Sequence, residues 1–285
     1  MTTARLRLRE LLDGQGLITA PGVFDGLSAS LVARTGFAAA YMTGAGTAAS
    51  GWGLPDVGLV SQTEMVDKVR MITAILGDIP LIADADTGYG APLNVVRTVR
   101  EYERAGVAAL HLEDQAFPKK CGHLPDKELV GVDEYLAKLH AALDARHDEA
   151  LVIIARTDAR GPLGLDAAIE RGIRYAAAGA DVVFVEAPRD EAEIERIARE
   201  VPGPLLINVV WGGLTPALPE QRLAELGYRI AIHPGAALEP AAEAMLRALA
   251  GMRGLDPARM LPSSPRALFE LVGLREWEQL GERYR

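Results

Sequence analysis

The chain has 285 residues, 49% of them hydrophobic but only 5% aromatic, a net charge of −9 and a single cysteine. The length suits one α/β barrel, and an aliphatic core suits parallel strands buried on both faces. The acidic balance excludes a nucleic-acid binder, the lone cysteine excludes an intrachain disulfide and fits a reducing cytoplasm, and no stretch reaches the roughly 18 apolar residues of a membrane span.

Residues 1–12 alternate arginine and leucine (Arg5, Leu6, Arg7, Leu8, Arg9), which reads as an amphipathic helix without the apolar core and cleavage site of a secretion signal. Eight short aliphatic runs follow, at 17–20, 38–43, 80–84, 108–113, 151–156, 182–186, 205–209 and 230–233. Helical periodicity spans 62–76, 93–105, 132–146, 165–178, 191–201, 220–226 and 237–249. Strands alternating with helices imply a parallel sheet, and eight units close a (β/α)8 TIM barrel. The rival is an open doubly wound sheet, whose usual Gly-rich dinucleotide turn is missing. The long polar loop at 115–131 has the character of a lid. Residues 255–285 exceed the barrel and carry a helix-like stretch at 267–284, placed on the outside or on a neighbouring subunit; residues 1–285 thus make one domain with a C-terminal helical extension.

Catalysis in such barrels sits at the C-terminal strand ends. Here those ends carry Tyr41 and Thr43, Asp84 and Asp86, His111, Glu113 and Asp114, Arg156 and Asp158, Glu186, and Asn208. Solvation of loops accounts for any one of them; their convergence on one rim is the stronger signal. Asp84 and Asp86 share a strand face, and with Glu113 and Asp56 they would raise one another's pKa unless a hard divalent cation balanced them. That points to Mg²⁺, with Mn²⁺ as a substitute, the competing role being a helix cap or an ion pair to a rim arginine. The glycines of Thr43-Gly44-Ala45-Gly46-Thr47 leave backbone N–H groups open to an anion, or simply form a tight strand-to-helix turn. Lys119-Lys120-Cys121-Gly122-His123 surrounds the cysteine with basic groups, which favours a thiolate, and polar neighbours on both sides argue against burial.

Several blocks together resemble the isocitrate lyase/phosphoenolpyruvate mutase superfamily: Pro21-Gly22-Val23-Phe24-Asp25-Gly26-Leu27-Ser28-Ala29, Gly53-Leu54-Pro55-Asp56, Asp84-Ala85-Asp86-Thr87-Gly88-Tyr89-Gly90, His111-Leu112-Glu113-Asp114-Gln115 and Ala155-Arg156-Thr157-Asp158-Ala159. The Lys-Lys-Cys-Gly-His segment marks its carbon–carbon lyase branch. Gly90-Ala91-Pro92-Leu93-Asn94-Val95 and Phe184-Val185-Glu186-Ala187-Pro188 are similar to the dimethylmalate-lyase and petal-death-protein-like enzymes, with methylisocitrate lyases more distant. The resemblance implies Mg²⁺ at Asp84 and Asp86, with Asp56 and Glu113 reaching it through water. It implies a 2-oxo acid at Thr43, Gly44, Ala45 and Arg156, with His111 beside the substrate, and Tyr41 taking the substrate's hydroxyl proton. It also implies an enolate stabilised by Cys121, Gly122, His123, Glu186 and Asn208 and protonated by Cys121. A homotetramer with C-terminal helices swapped between subunits is implied too.

Two departures bear on the substrate. Asn208-Val209-Val210-Trp211 puts an indole where the family has a carboxylate, so that Trp211 is expected to shape the pocket. His233-Pro234-Gly235-Ala236-Ala237-Leu238-Glu239 puts a carboxylate where methylisocitrate lyases have an arginine, which repels a second substrate carboxylate. A smaller or more apolar malate derivative fits. A carboxyphosphonoenolpyruvate phosphonomutase-like or oxaloacetate-cleaving activity stays open, as does a non-catalytic ligand-binding barrel.

Overall fold

The computed structural model describes residues 3–284. Strands β1 (Ile18–Val23), β2 (Ala40–Met42), β3 (Leu81–Asp84), β4 (Ala109–Glu113), β5 (Val152–Thr157), β6 (Val182–Val185), β7 (Leu205–Asn208) and β8 (Tyr228–His233) form a closed parallel barrel in chain order. Every predicted strand is present, with ends shifted by a few residues. The open-sheet alternative is excluded because β1 pairs with β8, from Ile18↔Ile230 to Pro21↔His233.

Strand residues alternate between two environments, as the pleat demands. Ile18, Ala20, Ile82, Ala109, Ile154, Phe184, Leu206 and Ile232 fill the barrel interior. The opposite faces of the strands meet the surrounding helices through the aliphatic layers around Val99, Leu110 and Ile153 and around Val183, Ile194 and Ala231. The helices are α1 (Thr3–Asp13), α2 (Gly26–Thr35), α3 (Gly44–Trp52), α4 (Gln62–Leu76), α5 (Pro92–Arg104), α6 (Val132–Ala145), α7 (Leu165–Ala177), α8 (Glu191–Glu200), α9 (Glu220–Glu225), α10 (Leu238–Arg253), α11 (Pro265–Glu270) and α12 (Leu274–Glu282).

The amphipathic N-terminal segment is helix α1, although Met1 and Thr2 of that reading lie outside the described residues. Leu8 and Leu12 join the barrel-interior cluster at the strand starts, so α1 stops the end opposite the C-terminal strand ends. Arg5 and Arg9 are anchors: Arg5 Nε donates to the Val107 carbonyl at 2.9 Å and Nη1 to Asp148 at 2.9 Å, while Arg9 Nη1 reaches Asp181 at 2.8 Å. Helices α2 and α3 escaped the periodicity reading because their glycine, alanine and serine residues carry little apolar contrast. Asp25 starts α2 by accepting from Ser28 N–H, and Thr43 caps α3 by accepting from Gly46 N–H.

The C-terminal stretch read as one helix over 267–284 is two, α11 and α12, separated at Gly273 with φ 81°. Arg285 lies outside the described residues. Helix α11 folds back over the C-terminal mouth of its own barrel. Leu268 packs on Phe24 and Leu238, and Phe269 and Leu274 pack on Cys121 and Leu124.

Candidate active site

Strand register sets the site. Asp84 on β3 stands beside His111 on β4, and Glu113 on β4 beside Arg156 on β5. All four side chains turn inward, and with Tyr41, Thr43, Ala45, Asp56, Cys121, Gly122, His123, Glu186 and Asn208 they lie at or around one cavity that opens to solvent. Asp114 follows Glu113 and therefore points the other way. It accepts from Thr157 Oγ1 at 2.7 Å, Arg171 at 2.7 Å and Tyr175 at 2.9 Å and holds the outer layer, not the cavity.

The acidic side is tightly wired. Asp84 accepts from the backbone N–H of Asp86 at 2.9 Å and of Gly44 at 3.2 Å. Gly44 is required there because any Cβ would run into the Asp84 carboxylate. The Gly44 and Gly46 N–H groups are thus committed within the protein, Gly46 donating to Thr43 Oγ1. Ala45 lines the cavity in the first turn of α3, where amides lack intrahelical acceptors. Lys119 is buried between carboxylates, in contact with Asp56 and 2.8 Å from Asp86.

Burial and then the Asp84 and Asp56 charges, only partly offset by Lys119, push Asp86 up to about 7. Burial raises Glu113 well above the usual carboxylate range. Both Glu113 oxygens are buried without a hydrogen-bond partner, with Arg156 Nη1 at 3.1 Å as the nearby counter-charge. Orphaned carboxylate oxygens beside Asp84 and Asp86 are hard donors of the kind a small divalent cation satisfies, so this residue set fits the implied metal. Among the described residues no three His, Cys, Asp or Glu side chains converge as a finished cage, and the Lys119 ammonium shares the acidic cluster.

Tyr41 Oη lies 2.9 Å from His111 Nε2. Burial, then the Asp84 charge, holds the phenol well above its ordinary pKa, and burial lowers His111 to about 4, so both are neutral. Arg156 donates to both Asp158 oxygens, at 2.8 and 3.2 Å, and stays charged through its surrounding carboxylates.

Cys121 corrects the expectation of an accessible thiolate. The side chain is buried, and burial followed by the Asp56 charge pushes its thiol up to about 12. The adjacent basic groups do not serve it: Lys119 is bound to Asp56 and Asp86, and Lys120 donates to the Asp126 carbonyl at 3.0 Å. Gly122 is pinned close to Arg156 and Glu186, since a Cβ would lie 2.6 Å from atoms of each. His123 is kept neutral by burial and accepts the Leu214 N–H at 3.0 Å through Nδ1. Its other nitrogen faces Asn208 at 3.4 Å and Glu186 at 3.6 Å. Asn208 donates to Glu186 at 3.0 Å.

Sequence reading missed Lys127, whose buried ammonium clamps the loop carrying Cys121 by donating to the Gly122 carbonyl at 2.5 Å and to Asp158 at 2.8 Å. It also missed Pro265, Leu268 and Phe269, which line the cavity from α11. Lysine in a polar loop carries no mark of burial, and no local signal links a tail to a pocket. Trp211 does not shape the pocket as expected: it is 64% exposed, and Val210 forms the wall instead. Strand β7 has ended, and the turn at Gly212 (φ 63°) carries the indole outward.

A parallel barrel with acidic, guanidinium and thiol groups gathered on its C-terminal rim defines a barrel enzyme with its chemistry at the strand ends. The phosphoenolpyruvate phosphomutase family model matches residues 8–253, and the chain belongs to that family, within the PEP mutase/isocitrate lyase superfamily. It is 49% identical to a 2,3-dimethylmalate lyase of Eubacterium barkeri over 86% of this chain and 84% of the relative. The structure of oxaloacetate acetylhydrolase with 3,3-difluorooxalacetate is similar at TM-score 0.86 and 39% identity, covering 99% of this chain and 98% of that one. Phosphonopyruvate hydrolase, solved with oxalate and Mg²⁺, is similar at TM-score 0.77 and 33% identity over 100% of this chain and 99% of that one.

Proposed function

We propose that the chain is a Mg²⁺-dependent carbon–carbon lyase that splits a substituted malate-type 2-hydroxy carboxylate into a 2-oxo acid, pyruvate or glyoxylate, and a second carboxylate. The observation that carries this reading is Cys121, a thiol that keeps its proton while lining the cavity beside His123, Glu186 and Asn208. A general acid must hold its proton until the carbanionic fragment appears.

Asp84 and Asp86, with Asp56 and Glu113, would hold a divalent cation, which when bound would supply the positive charge that acidifies the substrate's 2-hydroxyl. Arg156, Thr43 and Ala45 orient the 2-oxo acid half. Tyr41 accepts the hydroxyl proton as its own phenolic proton passes to His111 Nε2. The electrons of the C2–C3 bond leave with the departing fragment as an enolate, and Cys121 protonates its carbon. The thiolate regains a proton from solvent as His111 gives one up. Glu186 and Asn208 fix the imidazole of His123 and the walls around that fragment.

A panel of substituted malates, with oxaloacetate and phosphonopyruvate as further arms, tests the reading by release of pyruvate or glyoxylate. Cleavage of a malate should vanish in EDTA and return with Mg²⁺. Cys121→Ser should lose about three orders of magnitude in kcat and still bind the 2-oxo acid. Turnover undiminished in that variant sinks the assignment, and cleavage confined to oxaloacetate or the phosphonate moves it to those relatives' chemistry.

We also propose a homotetramer with C-terminal helices exchanged between subunits. Met245, Leu249, Met252 and Leu255 support it, an exposed apolar row along α10 and its end. In such an exchange a neighbour's α11 would take the seat on Phe24, Leu124 and Leu238.

A further inference from the structure

The cavity lining mixes charged and polar side chains with the apolar Val210, Pro234, Leu238, Pro265, Leu268 and Phe269, Leu268 packing on Leu238 and Phe269 on Cys121. Glu239 follows Leu238 in the same lining. It stands in the first turn of α10, where the helix dipole favours an anion, and its carboxylate lies against Gly235, whose missing Cβ leaves room for it.

The other cavity carboxylates have partners. Asp56 has Lys119, Asp84 has two backbone N–H groups, and Glu186 has the Ala187 N–H at 2.8 Å and Asn208. The Glu239 side chain has no hydrogen-bond or ion-pair partner among the described residues, and Arg156 is held by Asp158 and Glu113. Burial raises its carboxyl above the ordinary value, as expected for a half-sheltered acid with no cation beside it. A half-buried acceptor in such a lining gains from a donor supplied by ligand, and loses if an anion is placed there.

Resting on the lyase reading above, we propose that Glu239 determines specificity at the far end of the departing fragment. It accepts a hydrogen bond from a hydroxyl-type donor on a short aliphatic substituent that lies on Leu238, Leu268 and Phe269, and it rejects a further carboxylate at that place. The substrate class is accordingly a malate whose C3 substituent is a short hydroxyalkyl group, with plain alkyl second and carboxyalkyl last.

The test compares kcat/KM for 3-hydroxyalkyl, 3-alkyl and 3-carboxyalkyl malates in the wild type, Glu239→Gln and Glu239→Arg. The wild type should prefer hydroxyalkyl over carboxyalkyl by on the order of a hundredfold. Glu239→Gln, close in shape and uncharged, should narrow that ratio about tenfold, and Glu239→Arg should reverse it. Calorimetric binding of butyrate, 4-hydroxybutyrate and succinate to the same three proteins reads the preference without chemistry. Ratios and binding orders that are the same in all three proteins overturn the proposal. Failure of the wild type to cleave any malate would remove the lyase reading alone, since the binding order still decides the role of Glu239.

Discussion

Lys119 directs its ammonium to Asp56 and Asp86, and Lys120 reaches outward to a loop carbonyl, so the basic residues written next to Cys121 act elsewhere. What surrounds the sulfur is Leu124, Phe269 and Leu274. With the thiol pushed up to about 12, the thiolate fraction at pH 8 is about one in ten thousand. Iodoacetamide should therefore leave Cys121 of the folded enzyme unmodified at pH 8 over an hour and label it readily in urea; rapid labelling of the folded form would refute the buried, protonated state. The linkage has a definite sign. The folded pKa lies above the ordinary value of 9.0, so this group's contribution to stability is complete below pH 9 and is lost as pH climbs toward 12.

At the scale of elements, the barrel separates packing from the polar site by its two ends. The strand C-termini carry the chemistry, while α1 closes the strand starts with Leu8, fully buried, and Leu12. Leu8→Ala should cost about 3 kcal/mol of unfolding free energy, read as a lower urea midpoint, and should leave KM for the malate substrate unchanged because the cavity lies at the opposite end. A large KM change with no loss of stability would contradict that division of labour. The same element logic explains Asp114 and Glu113, adjacent in sequence and opposite in role: the pleat sends one to Arg171 and Tyr175 and the other to Arg156.

For the whole molecule, the row Met245, Leu249 and Met252 repeats at helical spacing on one exposed face of α10, and Met252 is 84% exposed. Sedimentation velocity should give a species about four times the 30.4 kDa chain mass. Met245→Glu with Met252→Glu should shift it to smaller species, because a desolvated carboxylate at such a contact is costly. A monomer at micromolar concentration in the unmodified protein would remove the tetramer proposal.

By itself the sequence determined the architecture. Eight β-branched or aliphatic runs alternating with amphipathic helices have essentially one closed solution, and period-two patterning then placed Asp84, His111, Glu113, Arg156, Glu186 and Asn208 on a single rim. Asp84 and Asp86 and the small-residue turn after β2 were legible because their neighbours in sequence are also their neighbours in space. Tertiary structure decided the rest: the protonation of Cys121, the outward turn of Trp211, the clamp made by Lys127, the break at Gly273 and the apolar wall contributed by α11. The protonation of Cys121 and the wall from α11 depend on segments far apart in the chain. Burial and ion pairing, which set charge states, are properties of the packed neighbourhood and leave no trace in local residue order.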